Sequence, residues 1–257
     1  MLPEGVNVSQ QEVDELLETA GRGDEEMTMS ILQSTDSVEK RRTLIIELLL
    51  SLSIDDEDHP GINVIKAVLR PISASEGDDK IKLLFRNLPW FNMRGNGVYK
   101  RARFLLHFAK NDESRFYILS FSRFILFDHI RSHFHQAFWF RNTEVVRAML
   151  DSVGQEYRFR LMTMRDEFKH APLHDLTLST RQHQGPVDSK EFVLTKTMLA
   201  CVSNEQRYEI LTMLNADDRI PFVDAFIHGH NDVVEGIKSS LSSEEWYSLL
   251  SSEQIRS

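Results

Sequence analysis

In the stretch "TEVVRAMLDSV", Val145, Val146, Met149, Leu150 and Val153 recur at the spacing of one face of an α-helix, with polar residues between them. The pattern then restarts. "SSEEWYSLL" offers Ser242 as a helix cap and Glu245 three residues on to complete a capping box, and "SNEQRYEIL" offers Ser203 and Gln206 in the same places. The expected element is therefore an amphipathic helix followed by a second, short helix. The aromatic and aliphatic residues of the short helix, such as Tyr208, Ile210 and Leu211, pin it to its neighbours. A helix of under ~12 residues is marginal in water by itself, so such elements need a stack to hold them.

The same pattern repeats along the chain. "TEVVRAMLDSVGQEYRFRLMTM", "FVLTKTMLACVSNEQRYEILTM" and "NDVVEGIKSSLSSEEWYSLLSS" align without gaps, making Phe159, Tyr208 and Tyr247 equivalent at spacings of 49 and 39 residues. "VYKRARFLLHFAKNDESRFYILSF" joins them at its end through Phe116, 43 residues before Phe159. Two weaker copies lie further upstream. Six units result, starting near Glu26, Asn63, Gly97, Glu144, Val193 and Asp232. The whole of residues 1–257 reads as a single all-α helical-repeat solenoid, with a divergent half over 1–125 and a better-matched half over 126–257.

Composition narrows the classes. The longest apolar run, "TLIIELLLSLSI", falls short of the ~18 residues of a membrane span. The acidic start "MLPEGVNVSQQEVDELL" carries no apolar signal core. Cys201 is the single cysteine, which favours a reducing compartment and a cytoplasmic or nuclear location. A formal charge of −9 argues against nonspecific nucleic-acid binding. The basic run "VYKRARFLLHFAK" reads as the solvated side of an amphipathic helix.

"IPFVDAFIHGHNDVVEGI" carries Pro221, Ala225, Gly229, His230, Val233 and Val234 in the order and spacing of an ankyrin repeat, and the chain resembles that family. Ser132, Phe134, His135, Ala137 and the pair Val145–Val146 follow the same frame, as do Pro172, Leu173 and His174 in "APLHDL". The resemblance implies that first helices line a concave face and second helices a convex one. It also implies that His135 packs at a helix start and bonds neighbouring loop backbone. The units exceed the family's ~33-residue period, and the glycine that precedes its Thr-Pro-Leu-His motif is missing from "DDRIPF" and "EFKHAPL". Short or missing β-hairpins, an extra short helix per repeat and an exposed loop at "STRQHQGPVDSK" are the expected departures.

His129, His133 and His135 suggest a metal cluster, but a zinc site needs about four convergent ligands, and the repeat frame accounts for His135. No metal and no cofactor is expected. "GRGD" falls on an inter-helix turn, "NVS" is a sequon pattern in which Ser9 and Glu12 also form a capping box, and "HGH" at 228–230 falls on another turn. Cys201 follows an apolar stripe and reads as buried and inert. No phosphate loop, nucleophile elbow or paired-carboxylate motif appears.

The resemblance therefore implies a non-catalytic protein–protein interaction module. Its implied contact positions are Gln136, Trp139, Phe140, Asp224, Ile227 and His228 on first helices, and Arg131, Lys169 and Arg219 at the finger positions. Trp139 is the foremost candidate, because Trp and Arg dominate interface energetics. Partner identity is open. The alternative is an enzyme or effector with its site in residues 60–121, where "NLPWFNMRGNG" is unusual for a helix stack and Pro89, Trp90 and Phe91 are candidates to line a pocket. A self-associating structural protein is a third reading.

Overall fold

The computed structural model describes residues 8–35, 37–52, 59–76, 82, 84–85, 88, 90, 93, 98–125, 129–177 and 189–251. The fold among them is helical, with one two-stranded hairpin. The chain divides into two compact units, Met1–Lys110 and Asn111–Ser257.

The N-terminal unit holds α1 (Gln10–Gly21), α2 (Glu25–Gln33), α3 (Val38–Ser51), α4 (Pro60–Glu76) and α5 (Val98–Leu106). Ser9, Asp24 and Ser37 start the first three by accepting backbone N–H bonds, and Ser9 with Glu12 forms the full capping box. Helix α1 packs on α2, α3 and α4, and Leu16 of α1, Leu44 and Leu48 of α3, and Val64, Ile65 and Leu69 of α4 are buried. Trp90 is fully buried, its ring edge-on to Phe85 and its indole N–H donated to the Phe85 carbonyl at 2.9 Å. The basic run departs from expectation at one residue. Arg101 is buried and donates to the Leu52 carbonyl, while Lys100, Arg103 and Lys110 are exposed.

The C-terminal unit begins with α6 (Asp112–Ser120) and an antiparallel hairpin, β1 (Ser122–Ile125) and β2 (His129–Ser132), in the register Ser122↔Ser132. Three helical triplets follow. The first is α7 (His133–Trp139), α8 (Thr143–Asp151) and α9 (Gln155–Thr163). The second is α10 (Pro172–Asp175), α11 (Lys190–Ala200) and α12 (Asn204–Leu211). The third is α13 (Pro221–Ile227), α14 (Asn231–Ser239) and α15 (Ser243–Ser251). Like helices pack in rows: α7, α10 and α13 in one, α8, α11 and α14 in a second, and α6, α9 and α12 in a third. Every unit start read from the sequence lies in or at the edge of a helix, α2, α4, α5, α8, α11 or α14. A third helix completes each triplet, and its capping boxes at Ser203–Gln206 and Ser242–Glu245 bond in both directions.

Local chemistry repeats with the triplets. The turn from first to second helix needs a left-handed residue, and Gly229 (φ 74°) and Arg141 (φ 53°) supply it, as Gly23 (φ 78°) does between α1 and α2. Hairpins are short or missing, as expected, and the one among the described residues has four-residue strands. At the later equivalent positions two tight loops stand without strands. Asp166 Oδ1 accepts from Phe168 and His170 N–H, and Asn215 Oδ1 accepts from Asp217 and Arg219 N–H. Lys169 and Asp218 take left-handed φ values of 59° and 56° in these loops.

Candidate binding surface and its buried support

The side chains that hold the triplets together define what remains for a partner. His135 sits behind its own helix start, its Nδ1 2.7 Å from Ser132 Oγ, and its Nε2 lies 3.3 Å from the His170 carbonyl in the next loop. His174 repeats the contact one triplet on, with Nε2 3.1 Å from the Arg219 carbonyl. Burial pushes both imidazoles down to about 4, so they stand neutral. A second connector uses arginine. Arg158 Nε donates to the Leu150 and Val153 carbonyls, and Arg207 donates from Nε to Leu199 O and from Nη1 to Ser240 O in the following triplet. Arg115 reaches Ser152 O in the same way, and in the N-terminal unit Arg41 Nε donates to Leu32 O. Each of these arginines lies four residues after the cap of its helix. Sequence reading missed the set, although the spacing from Ser37, Asn111, Gly154 and Ser203 was there to find.

Three of the nine implied contact residues belong to this support. Gln136 is buried, with Nε2 donating to Arg131 O at 2.9 Å. Asp224 is buried, accepts from Asn215 Nδ2 at 2.6 Å and lies 3.7 Å from the Arg219 guanidinium. Arg131 is buried between Asp166 at 3.6 Å and Asp175 at 3.3 Å. Their side chains hold the loops and are not presented at the surface of this fold. Burial raises the Asp175 carboxyl well above the usual range, against the pull of Arg131. Burial also opposes ionisation of Asp166, but hydrogen bonds from His170 outweigh it and hold that carboxyl low. The two carboxyls around the one guanidinium are thus pushed in opposite directions.

The other six residues fall in two places. Trp139 and Phe140 end α7, and Ile227 and His228 occupy the equivalent end of α13. Phe140 and Ile227 are 41% and 55% exposed. Trp139 is half-buried, with the Arg131 guanidinium 4.0 Å from its ring centroid, so it braces the buried ion cluster as well as meeting solvent. Lys169 and Arg219 stand at the loop tips, where Phe168 is also exposed. Adjacent loops are tied in register by Ala216 N–H to Phe168 O at 3.1 Å and Arg165 Nη1 to Leu214 O at 2.7 Å. Phe226, 70% exposed, is a residue that sequence reading passed over, because an aromatic in an apolar stripe reads as core.

His133, one of the histidines that suggest a metal cluster, is buried against Phe121. Among the described residues no group of three or more His, Cys, Asp or Glu side chains gathers where a metal ion would sit. Cys201 is half-buried, its thiol 2.9 Å from the Thr197 carbonyl and pushed up by burial. Of the residues singled out in 60–121, Trp90 is core, while Pro89 and Phe91 lie outside the described residues. So do Asn7 of the sequon pattern and most of the 179–190 loop. No described helix is long and apolar enough to cross a membrane. Compared with known proteins, the chain matches no family model and no curated protein.

Proposed function

We propose that this chain is a non-catalytic binding module of ankyrin-like repeats that takes a partner protein across the first-helix ends and loop tips of its C-terminal unit. The observation that carries the reading is the recurrence of Trp139–Phe140 and Ile227–His228 at one place in two triplets. Each pair puts an exposed apolar side chain at the end of a first helix, and neither Phe140 nor Ile227 is needed to fill the core. Aromatic and aliphatic anchors are what hot spots use, and the cations Lys169 and Arg219 at the loop tips offer a second set of contacts. Polar connectors hold the backbone beneath them, so binding costs little ordering. A reducing compartment, cytoplasmic or nuclear, fits the single thiol.

The test uses Phe140→Ser combined with His228→Ala, because Trp139 also braces Arg131. A partner captured from cell lysate by the wild type and lost by the double variant, at unchanged melting temperature, is the expected result. Equal capture by both proteins refutes this surface.

A further inference from the structure

Charge is unevenly placed along this acidic chain. Residues 60–110 carry 10 Lys or Arg and 3 Asp or Glu, a balance of +7, while the other residues carry 20 against 36, a balance of −16. Charge placement of this kind governs association more than architecture. Among the described residues, the basic segment forms α4 and α5. Helix α4 buries Ile62, Val64, Ile65, Val68 and Leu69 and turns Asn63, Lys66 and Arg70 outward. Its one carboxylate, Glu76, is its last residue. Helix α5 buries Val98, Ala102, Leu105 and Leu106 and turns Lys100 and Arg103 outward, with no Asp or Glu from Val98 to Lys110. Arg103 Nη1 donates to Tyr99 Oη at 3.1 Å, which holds the guanidinium at the helix surface. Lys100 stands in the first turn, where the helix dipole disfavours a cation, so helix stability does not account for it. The two helices meet at Leu52, whose carbonyl accepts from Arg101 of α5 and whose Cδ2 would lie 2.7 Å from a Cβ added at Gly61 of α4. Helices α1 and α2 of the same unit hold six carboxylates and no Lys or Arg.

We propose that the exposed stripes of α4 and α5 bind a short acidic peptide segment of a partner protein through Lys66, Arg70, Lys100 and Arg103. This surface belongs to the N-terminal unit and is separate from the first-helix ends and loop tips of the C-terminal unit. Lysine and arginine meet carboxylates through short charge-assisted bonds, and one guanidinium takes both oxygens of a carboxylate at once. Four cations match a segment of about six residues, which spans ~20 Å when extended. A longer polyanion is a poor occupant. A nucleic acid or an anionic lipid surface continues past the four cations, and the chain outside residues 60–110 has a surplus of 16 carboxylates that repels what continues. A short acidic segment ends before that repulsion accumulates.

Fluorescence anisotropy of a labelled hexaglutamate peptide, titrated with the full chain, tests this. The expected result is saturable binding that weakens as salt is added. Replacing Lys66, Arg70, Lys100 and Arg103 together by Gln, all at exposed positions, raises Kd about tenfold or more at an unchanged circular dichroism spectrum and melting temperature. Each helix's pair replaced alone gives part of that loss, which keeps the test valid if the fourfold variant folds poorly. The control replaces four exposed cations elsewhere, Arg22, Arg147, Lys196 and Lys238, by Gln and leaves Kd as it was. Absence of binding, equal loss in the control variant, or tighter binding to hexathymidylate or to phosphatidylserine vesicles than to the peptide each overturns the proposal.

Discussion

The two units are held together by different means. In the C-terminal unit the same directed hydrogen bonds return triplet after triplet: imidazole to the next loop carbonyl, guanidinium to helix-end carbonyls. The described part of the N-terminal unit rests more on apolar packing around Leu16, Leu48, Ile65 and Trp90, with Arg101, Arg41 and Trp90 among its buried or half-buried carbonyl donors. A donor that must meet one particular carbonyl fixes a residue type at one position. A core site accepts leucine, isoleucine, valine or methionine with little loss as long as volume is kept. The unit built on directed bonds therefore keeps a readable repeat, and the unit built on packing lets its repeat blur.

Acid separates the two units most strongly. His135 and His174 are held near 4 in the folded state and return to about 6.5 when unfolded. The unfolded chain therefore binds more protons between those values. The stability that the neutral rings supply is complete above about pH 6.5 and drains away as pH falls toward 4, by roughly 3 kcal/mol per ring. In the N-terminal unit, Lys40 and Ser9 hold the exposed Glu12 carboxylate at about 2, so that contribution is lost only below the ordinary carboxylate range. Hydrogen exchange at pH about 4.5 is expected to expose the amides of 166–177 and 215–225 while α1–α3 stay protected. Equal loss in both units would break the comparison.

Truncating the apolar centre is the reverse experiment. Trp90→Ala removes a fully buried ring and takes one of two donors from the Phe85 carbonyl, which keeps the Leu88 N–H at 3.2 Å. It is expected to cost the N-terminal unit about 3–5 kcal/mol and to leave exchange in α11 and α14 as it was. Chemical denaturation combined with exchange mass spectrometry reads both numbers.

The smallest of the three effects comes from a connector. Arg207→Met keeps the stem's packing and removes the donor to Leu199 and Ser240. A loss of about 1.5–3 kcal/mol is expected, centred on the junction of the second and third triplets. A loss no larger than that of an exposed arginine such as Arg147, measured by urea titration of both variants, would show that the connector adds nothing.

Much of the helix pattern was legible. The capping boxes at Ser9, Ser203 and Ser242 and the helices starting near Glu144, Val193 and Asp232 follow from short-range rules that act within one turn. His135 was legible as a loop-binding residue through its motif. The contact set is less so, because the ankyrin resemblance supplies positions and says nothing of which of them this fold buries. Gln136, Arg131 and Asp224 are polar and buried, each satisfied by partners that sequence spacing does not reveal. The arginine connectors are hidden because a guanidinium after a helix cap looks like a solvated outer face. Arg101 repeats the lesson in the N-terminal unit.

The 39- and 49-residue spacings differ by a segment that lies between α10 and α11, downstream of His174 and upstream of Arg207. Both connectors of that triplet thus stand outside the variable stretch. Over evolutionary time, codons can be gained or lost there without changing which donor meets which carbonyl, and the same site offers protein engineers a place to graft a loop.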